Sequence, residues 1–142
     1  TGVYKAEILD KDHYDQIVAQ SVQLSNGGNS SKLELVYLPG GTIKKGDTFT
    51  IINNNGSAPV QGTFNGLPEG AEFAVDGATF KISYVGGDGN DVVLTAQNDS
   101  TGPKAPNTGG ENVAVNLAGT IVGVASAAIL LFMAKRKSFG KK

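Results

Sequence analysis

The sequence runs to 142 residues, room for one compact domain and an appendage. Residues 1–108 hold seven lysines against twelve carboxylates and residues 135–142 hold five basic residues and no acid, so the formal net charge of −1 conceals a polarised chain. An acidic body excludes nucleic acid as a partner, because phosphate binding needs a basic face; twenty Gly, no Trp and no Cys fit a turn-rich all-β chain without disulfide or thiol chemistry.

The chain opens at Thr1 with no basic start and apolar run of the signal-peptide kind, and is read as the C-terminal piece of a longer polypeptide. Residues 1–96 then form a β-strand module, with no sustained helical period. Strands are expected at Val3 to Leu9, Gln16 to Leu24, Lys32 to Tyr37, Thr48 to Asn53, Val60 to Phe64, Glu72 to Val75, Thr79 to Tyr84 and Asp91 to Thr95. Leu33, Leu35 and Tyr37 alternate with Lys32, Glu34 and Val36, and Phe80, Ile82 and Tyr84 with Thr79, Lys81 and Ser83. Each run therefore offers one apolar face. Breaks fall at Asn26-Gly27-Gly28, Pro39-Gly40-Gly41, Asn53-Asn54-Asn55-Gly56, Asp76-Gly77 and Gly86-Gly87-Asp88-Gly89, where Gly and Asn tolerate positive φ.

Two stretches of the body invite a cation-site reading. Asp10-Lys11-Asp12-His13-Tyr14-Asp15 gathers three carboxylates around the only His, but Lys11 sits among them, and a solvated turn is expected. Gly86-Gly87-Asp88-Gly89-Asn90-Asp91-Val92-Val93-Leu94 fits one copy of the calcium β-roll nonapeptide, with Asp88 and Asp91 as oxygen ligands. Such rolls complete each calcium site from stacked copies, and this copy stands alone. The expectation is therefore a Gly-rich turn with no metal and no cofactor, calcium on Asp88 and Asp91 being the alternative. No enzyme is expected either: no Cys exists, the lone His lies in a turn, and no Gly-x-Ser-x-Gly, phosphate loop or zinc spacing occurs. Glu69 and Glu72, in a turn-rich stretch, are read as surface charge.

From 97 to 112 the composition turns to Asn, Ser, Thr, Gly, Pro and Lys with Ala105 the one apolar residue, the signature of a flexible linker. Val113 to Ala134 follows without a charge. At ~1.5 Å per residue such a helix would be about 33 Å long, enough to cross a ~30 Å hydrocarbon core. A basic tail at 135–142 begins at once with Lys135, Arg136 and Lys137, which act as a stop-transfer signal and put the tail in the cytoplasm and residues 1–112 outside.

Ala105-Pro106-Asn107-Thr108-Gly109, followed by that span and tail, resembles the sortase-type cell-wall sorting signal, whose usual pentapeptide is Leu-Pro-x-Thr-Gly; Ala105 stands where Leu is usual. The resemblance implies that a sortase-type transpeptidase cuts between Thr108 and Gly109 and passes the Thr108 acyl group to a cell-wall amine. Pro106 favours an extended or kinked peptide and Gly109 removes bulk at the cut. Without such an enzyme the same layout still reads as a plain single-pass anchor.

A second resemblance covers most of the body. Tyr14-Asp15-Gln16-Ile17, Gly46-Asp47-Thr48-Phe49-Thr50-Ile51-Ile52-Asn53, Gly62-Thr63-Phe64 with Gly66-Leu67-Pro68-Glu69-Gly70-Ala71, and Phe80 to Thr95 look like the last turns of autotransporter-associated β-strand repeat proteins. Those are large secreted passengers, commonly predicted to be parallel β-helices, and the resemblance implies an end cap. No outer-membrane barrel follows, since one helix-length span is far too little to form one.

The fold expected is thus an all-β extracellular module, either the terminal turns of a β-helix or solenoid or a small β-sandwich, plus one C-terminal transmembrane α-helix. The function expected is the anchoring part of a bacterial cell-surface, adhesin-like β-repeat protein that is fixed to the envelope. The alternatives are a module that grips a host or cell-surface ligand and a non-catalytic tether for an upstream surface enzyme.

Overall fold

The computed structural model describes residues 2–105. The expected transmembrane helix, the basic tail and Pro106 to Gly109 of the sorting motif lie outside the described residues. Within them the chain is all β: twelve strands, no helix, and sheets whose strand orders are open rather than closed into a barrel.

The first two-thirds of the module is laid down in two passes. β1 (Val3–Asp10) and β6 (Lys32–Tyr37) pair in parallel from Val3↔Lys32 to Ile8↔Tyr37. β3 (Ile17–Ala19) and β8 (Thr48–Asn54) also pair in parallel, Ile17 opposite Ile52, and Gln23 bridges Gln61 in the same sense. Residues 3–23 therefore lie on residues 32–61 in the same chain order and direction. Parallel neighbours need a long connection, and the segment from Lys11 to Ser31 supplies it. Within that connection β2 (His13–Tyr14) folds back antiparallel on the end of β1, and β4 (Ser25–Asn26) and β5 (Asn29–Ser30) form a hairpin over Gly27 and Gly28, both at positive φ.

The last third turns antiparallel because its connections are short. β9 (Glu72–Val75) and β10 (Ala78–Gly86) are joined by Asp76-Gly77 at φ 48° and 86°, both residues left-handed as a type I′ turn requires. β11 (Asp91–Ala96) returns along β10 and seats on β8, giving the order β3-β8-β11-β10-β9. Between Val92↔Ile52 and Val93↔Thr50 the register steps by one, leaving Ile51 as the extra residue of a bulge. The bulge explains why consecutive Ile51 and Ile52 are both buried, which strict alternation forbids.

Two expected strands are shorter than composition suggests. Gln16 to Leu24 keeps only β3 and the Gln23 bridge, and Val60 to Phe64 keeps single bridges at Gln61 and Phe64, since Gly62 at φ 79° breaks the extended run. One apolar cluster joins the β1/β6 ladder to the five-stranded sheet, drawing Ile8 and Tyr37 from the former and Phe49, Ile51, Phe80, Ile82 and Leu94 from the latter. Phe49 sits edge-on between Tyr14 and Phe80, with ring centroids 5.3 and 5.9 Å away. That geometry suits the ring quadrupoles and adds to the gain from burial.

Candidate functional site

The place where the chain leaves the module is fastened, although its composition reads as linker. β7 (Thr42–Ile43) pairs antiparallel with β12 (Ser100–Thr101). The Gly102 N–H donates to the Gly41 carbonyl at 2.8 Å, and the Tyr37 hydroxyl donates to the Ser100 carbonyl at 2.9 Å. Asn98 accepts the Thr79 N–H at 2.7 Å and donates to the Gly77 carbonyl, while Asp99 accepts the Lys45 N–H at 2.8 Å. Gly102 has to be glycine, because a Cβ there would collide with the Leu38 carbonyl oxygen. Residues 98–102 thus form a clasp that ties the exit strand to three separate parts of the body. Burial of Tyr37 holds its phenol above the usual tyrosine range. The compact unit ends at Pro103, and Lys104 and Ala105, the first residue of the sorting motif, are exposed.

None of the clasp residues stands out in the sequence. The polar string Asn98-Asp99-Ser100 has a linker's composition, and only the capacity of Asn and Asp side chains to satisfy backbone groups hints at its role. Tyr37 is legible as a core residue but not as the donor to a strand so distant in sequence.

The acidic turn satisfies itself. Asp10 Oδ1 accepts the Asp12 N–H at 2.9 Å and faces His13 Nδ1 at 2.8 Å; the Asp12 N–H first, and then His13, hold the Asp10 carboxyl below the usual range. Lys11 pairs with Asp12 at 2.7 Å, and Asp15 accepts the Glu7 N–H at 3.0 Å. These bonds close the β1–β2 turn. In the Gly-rich loop Asp88 is exposed and Asp91 is buried, its Oδ1 accepting the Asn54 N–H at 2.8 Å across the sheet. Asn90 donates to the Ala58 carbonyl at 3.3 Å. Among the described residues no group of three or more His, Asp or Glu side chains is placed to hold a metal. Glu69 and Glu72 do not work as a pair: Glu69 accepts the Tyr84 N–H at 2.7 Å, whereas Glu72 is exposed on β9.

A second feature lies beside the start of β1. An apolar cleft of about 270 Å³ opens between the start of β1 and β3, lined by Val3, Tyr4, Ile17, Val22, Leu24 and Phe64 among others. The Tyr4 ring stacks on Phe64 and its hydroxyl donates to the Ile51 carbonyl at 3.0 Å. Burial, reinforced by the Asp15 carboxylate, pushes the Tyr4 pKa up to about 12.

Comparison with known protein families, curated proteins and solved structures gives no match to this chain. The functional reading therefore rests on the chain's own residues.

Proposed function

We propose that this chain is the closing and anchoring segment of a secreted, cell-surface β-repeat polypeptide of the adhesin type. The β module is the terminal turns of a β-helix, and the C-terminal segment is a sorting signal cut by a sortase-type transpeptidase between Thr108 and Gly109. The observation that carries the reading is the register of three sequence features: Ala105-Pro106-Asn107-Thr108-Gly109, the uncharged Val113–Ala134, and Lys135, Arg136 and Lys137. Motif, span and basic stop each have a physical role in this reading: the span halts export, and the motif is held outside the membrane for cleavage.

The β module supports the cargo half of the proposal. Two parallel passes followed by an antiparallel cap suit the end of a stack, where a final hairpin covers the edge that would otherwise template aggregation. The clasp suits an anchored end, because tension applied through Pro103 would load several hydrogen bonds at once before reaching the core. In the acyl transfer the enzyme's cysteine attacks the Thr108 carbonyl, the Thr108–Gly109 bond breaks and 109–142 leaves with the Gly109 amine protonated; a wall amine then attacks the thioester, forming an amide to Thr108 and returning the cysteine thiol. The partners are therefore the transpeptidase, the wall amine and, transiently, the membrane. In this reading the product is an extracellular protein to which this segment contributes structure and attachment.

Thr108→Ala tests the reading. Expected is a protein that stays extractable from membranes by detergent, whereas the wild type remains with the cell wall. Equal wall attachment of both forms would remove sortase processing and leave the single-pass anchor.

A further inference from the structure

The same alternation that pairs the two passes leaves the outer side of the first pass without a strand partner at the start of β1 and along β3, among the described residues. Gly2 and Ile8 use their carbonyls toward the second pass, so the backbone groups of Val3 and Lys5 point the other way. Ala19 likewise accepts the Asn55 N–H, which turns Val18 toward the free edge of β3, the outermost strand of its sheet. Among the described residues, three of the four large exposed aliphatic side chains, Val3, Ile17 and Val18, lie on these two strands at 60, 40 and 60 % exposure. The apolar cleft opens between them, and Gly2, the first described residue, lines it.

Deepening the function proposed above, on which it rests, we propose that this cleft and the free edges of β1 and β3 seat the preceding coil of the same polypeptide. That coil runs parallel to β1 and lays apolar side chains over Tyr4, Ile17 and Leu24. The argument is continuity with an interface the fold already contains. The second pass receives the first through three pairings in one direction, and the first pass presents the next edges of the same ladder. A second copy meeting this surface by a two-fold axis would run antiparallel and would not continue that order. The acidic turn sets the limit of the contact. β2 already occupies the edge at Ile8 and Asp10, and Asp15 takes both the N–H and the carbonyl of Glu7. The incoming strand therefore pairs with Val3 and Lys5 only and turns away before Glu7.

The test compares backbone hydrogen exchange in the 142-residue chain, held in detergent, with that of the same chain carried on the residues that precede Thr1 in the mature surface protein. The amides of Val3, Lys5 and Val18 exchange at least about tenfold more slowly in the longer polypeptide. Val3→Lys abolishes that slowing while leaving the melting of the 142-residue chain unchanged, since Val3 is largely exposed there. Unchanged exchange in a longer polypeptide that is still attached to the wall overturns the docking and leaves the anchoring function standing. Slowing in the 142-residue chain that grows with concentration identifies a second copy as the occupant and likewise overturns the proposal. N-terminal sequencing that finds the mature protein starting at Thr1 removes the closing-segment function itself.

Discussion

The Tyr37 hydroxyl reaches the Ser100 carbonyl oxygen, 63 positions further along the chain, from a ring that is 1 % exposed. Tyr37→Phe keeps the ring's packing and removes that bond, so the loss is the net value of one hydrogen bond plus an unpaired carbonyl, about 1 kcal/mol. A urea titration measures it, and exchange at Thr101 and Gly102 rises with it if the clasp is the part that loosens. Tyr4 gives a pH prediction of definite sign. Its folded pKa of about 12 lies above the ordinary tyrosine value of 10.0, so the folded state prefers the neutral phenol. That contribution is fully present below about pH 10 and is lost as pH rises from 10 toward 12. Tyr4→Phe removes this part of the alkaline destabilisation, which parallel thermal melts of the two proteins from pH 8 to 12 would reveal.

At the scale of elements, turn chemistry was the most legible part of the sequence. Asp76-Gly77 and Gly27-Gly28 both close hairpins, because only residues tolerant of left-handed φ fit those positions. Gly77→Ala places a Cβ at φ 86° and costs about 1 kcal/mol, read as a lowered melting temperature. The alternating runs at Lys32–Tyr37 and Ala78–Gly86 were legible for the same kind of reason, since burial of one face imposes a period of two. The pairing directions were not. Whether β1 lies beside β6 in parallel depends on where a long connection brings the chain back, and no local pattern encodes that. The bulge at Ile51 was hidden because one extra residue shifts the phase without changing composition. The clasp was hidden because its strength lies in backbone pairing between segments that each read as loop. Gly102→Val forces a side chain against the Leu38 carbonyl and releases β12; the expected cost is about 1–3 kcal/mol with faster exchange at Thr42 to Ile43.

For the module as a whole, two separate features have two tasks in the proposed function. In the proposal the free edges of β1 and β3 continue a stack, and the clasp at Ser100–Gly102, built from backbone pairing, takes up tension from the anchor. The anchor half of the proposal rests on the sequence alone, where Val113–Ala134 and Lys135, Arg136 and Lys137 meet the length and charge rules that a bilayer imposes. Of the cargo half only the all-β class was legible, because the edge of a stack looks like any other strand until its neighbours are known. The most direct measurement is mass spectrometry of the mature protein's C-terminus. The account predicts a terminal peptide ending at Thr108 with its carbonyl joined to a cell-wall amine, and no residue from 109–142 attached. Recovery of the intact chain through Lys142 in the membrane fraction would contradict it.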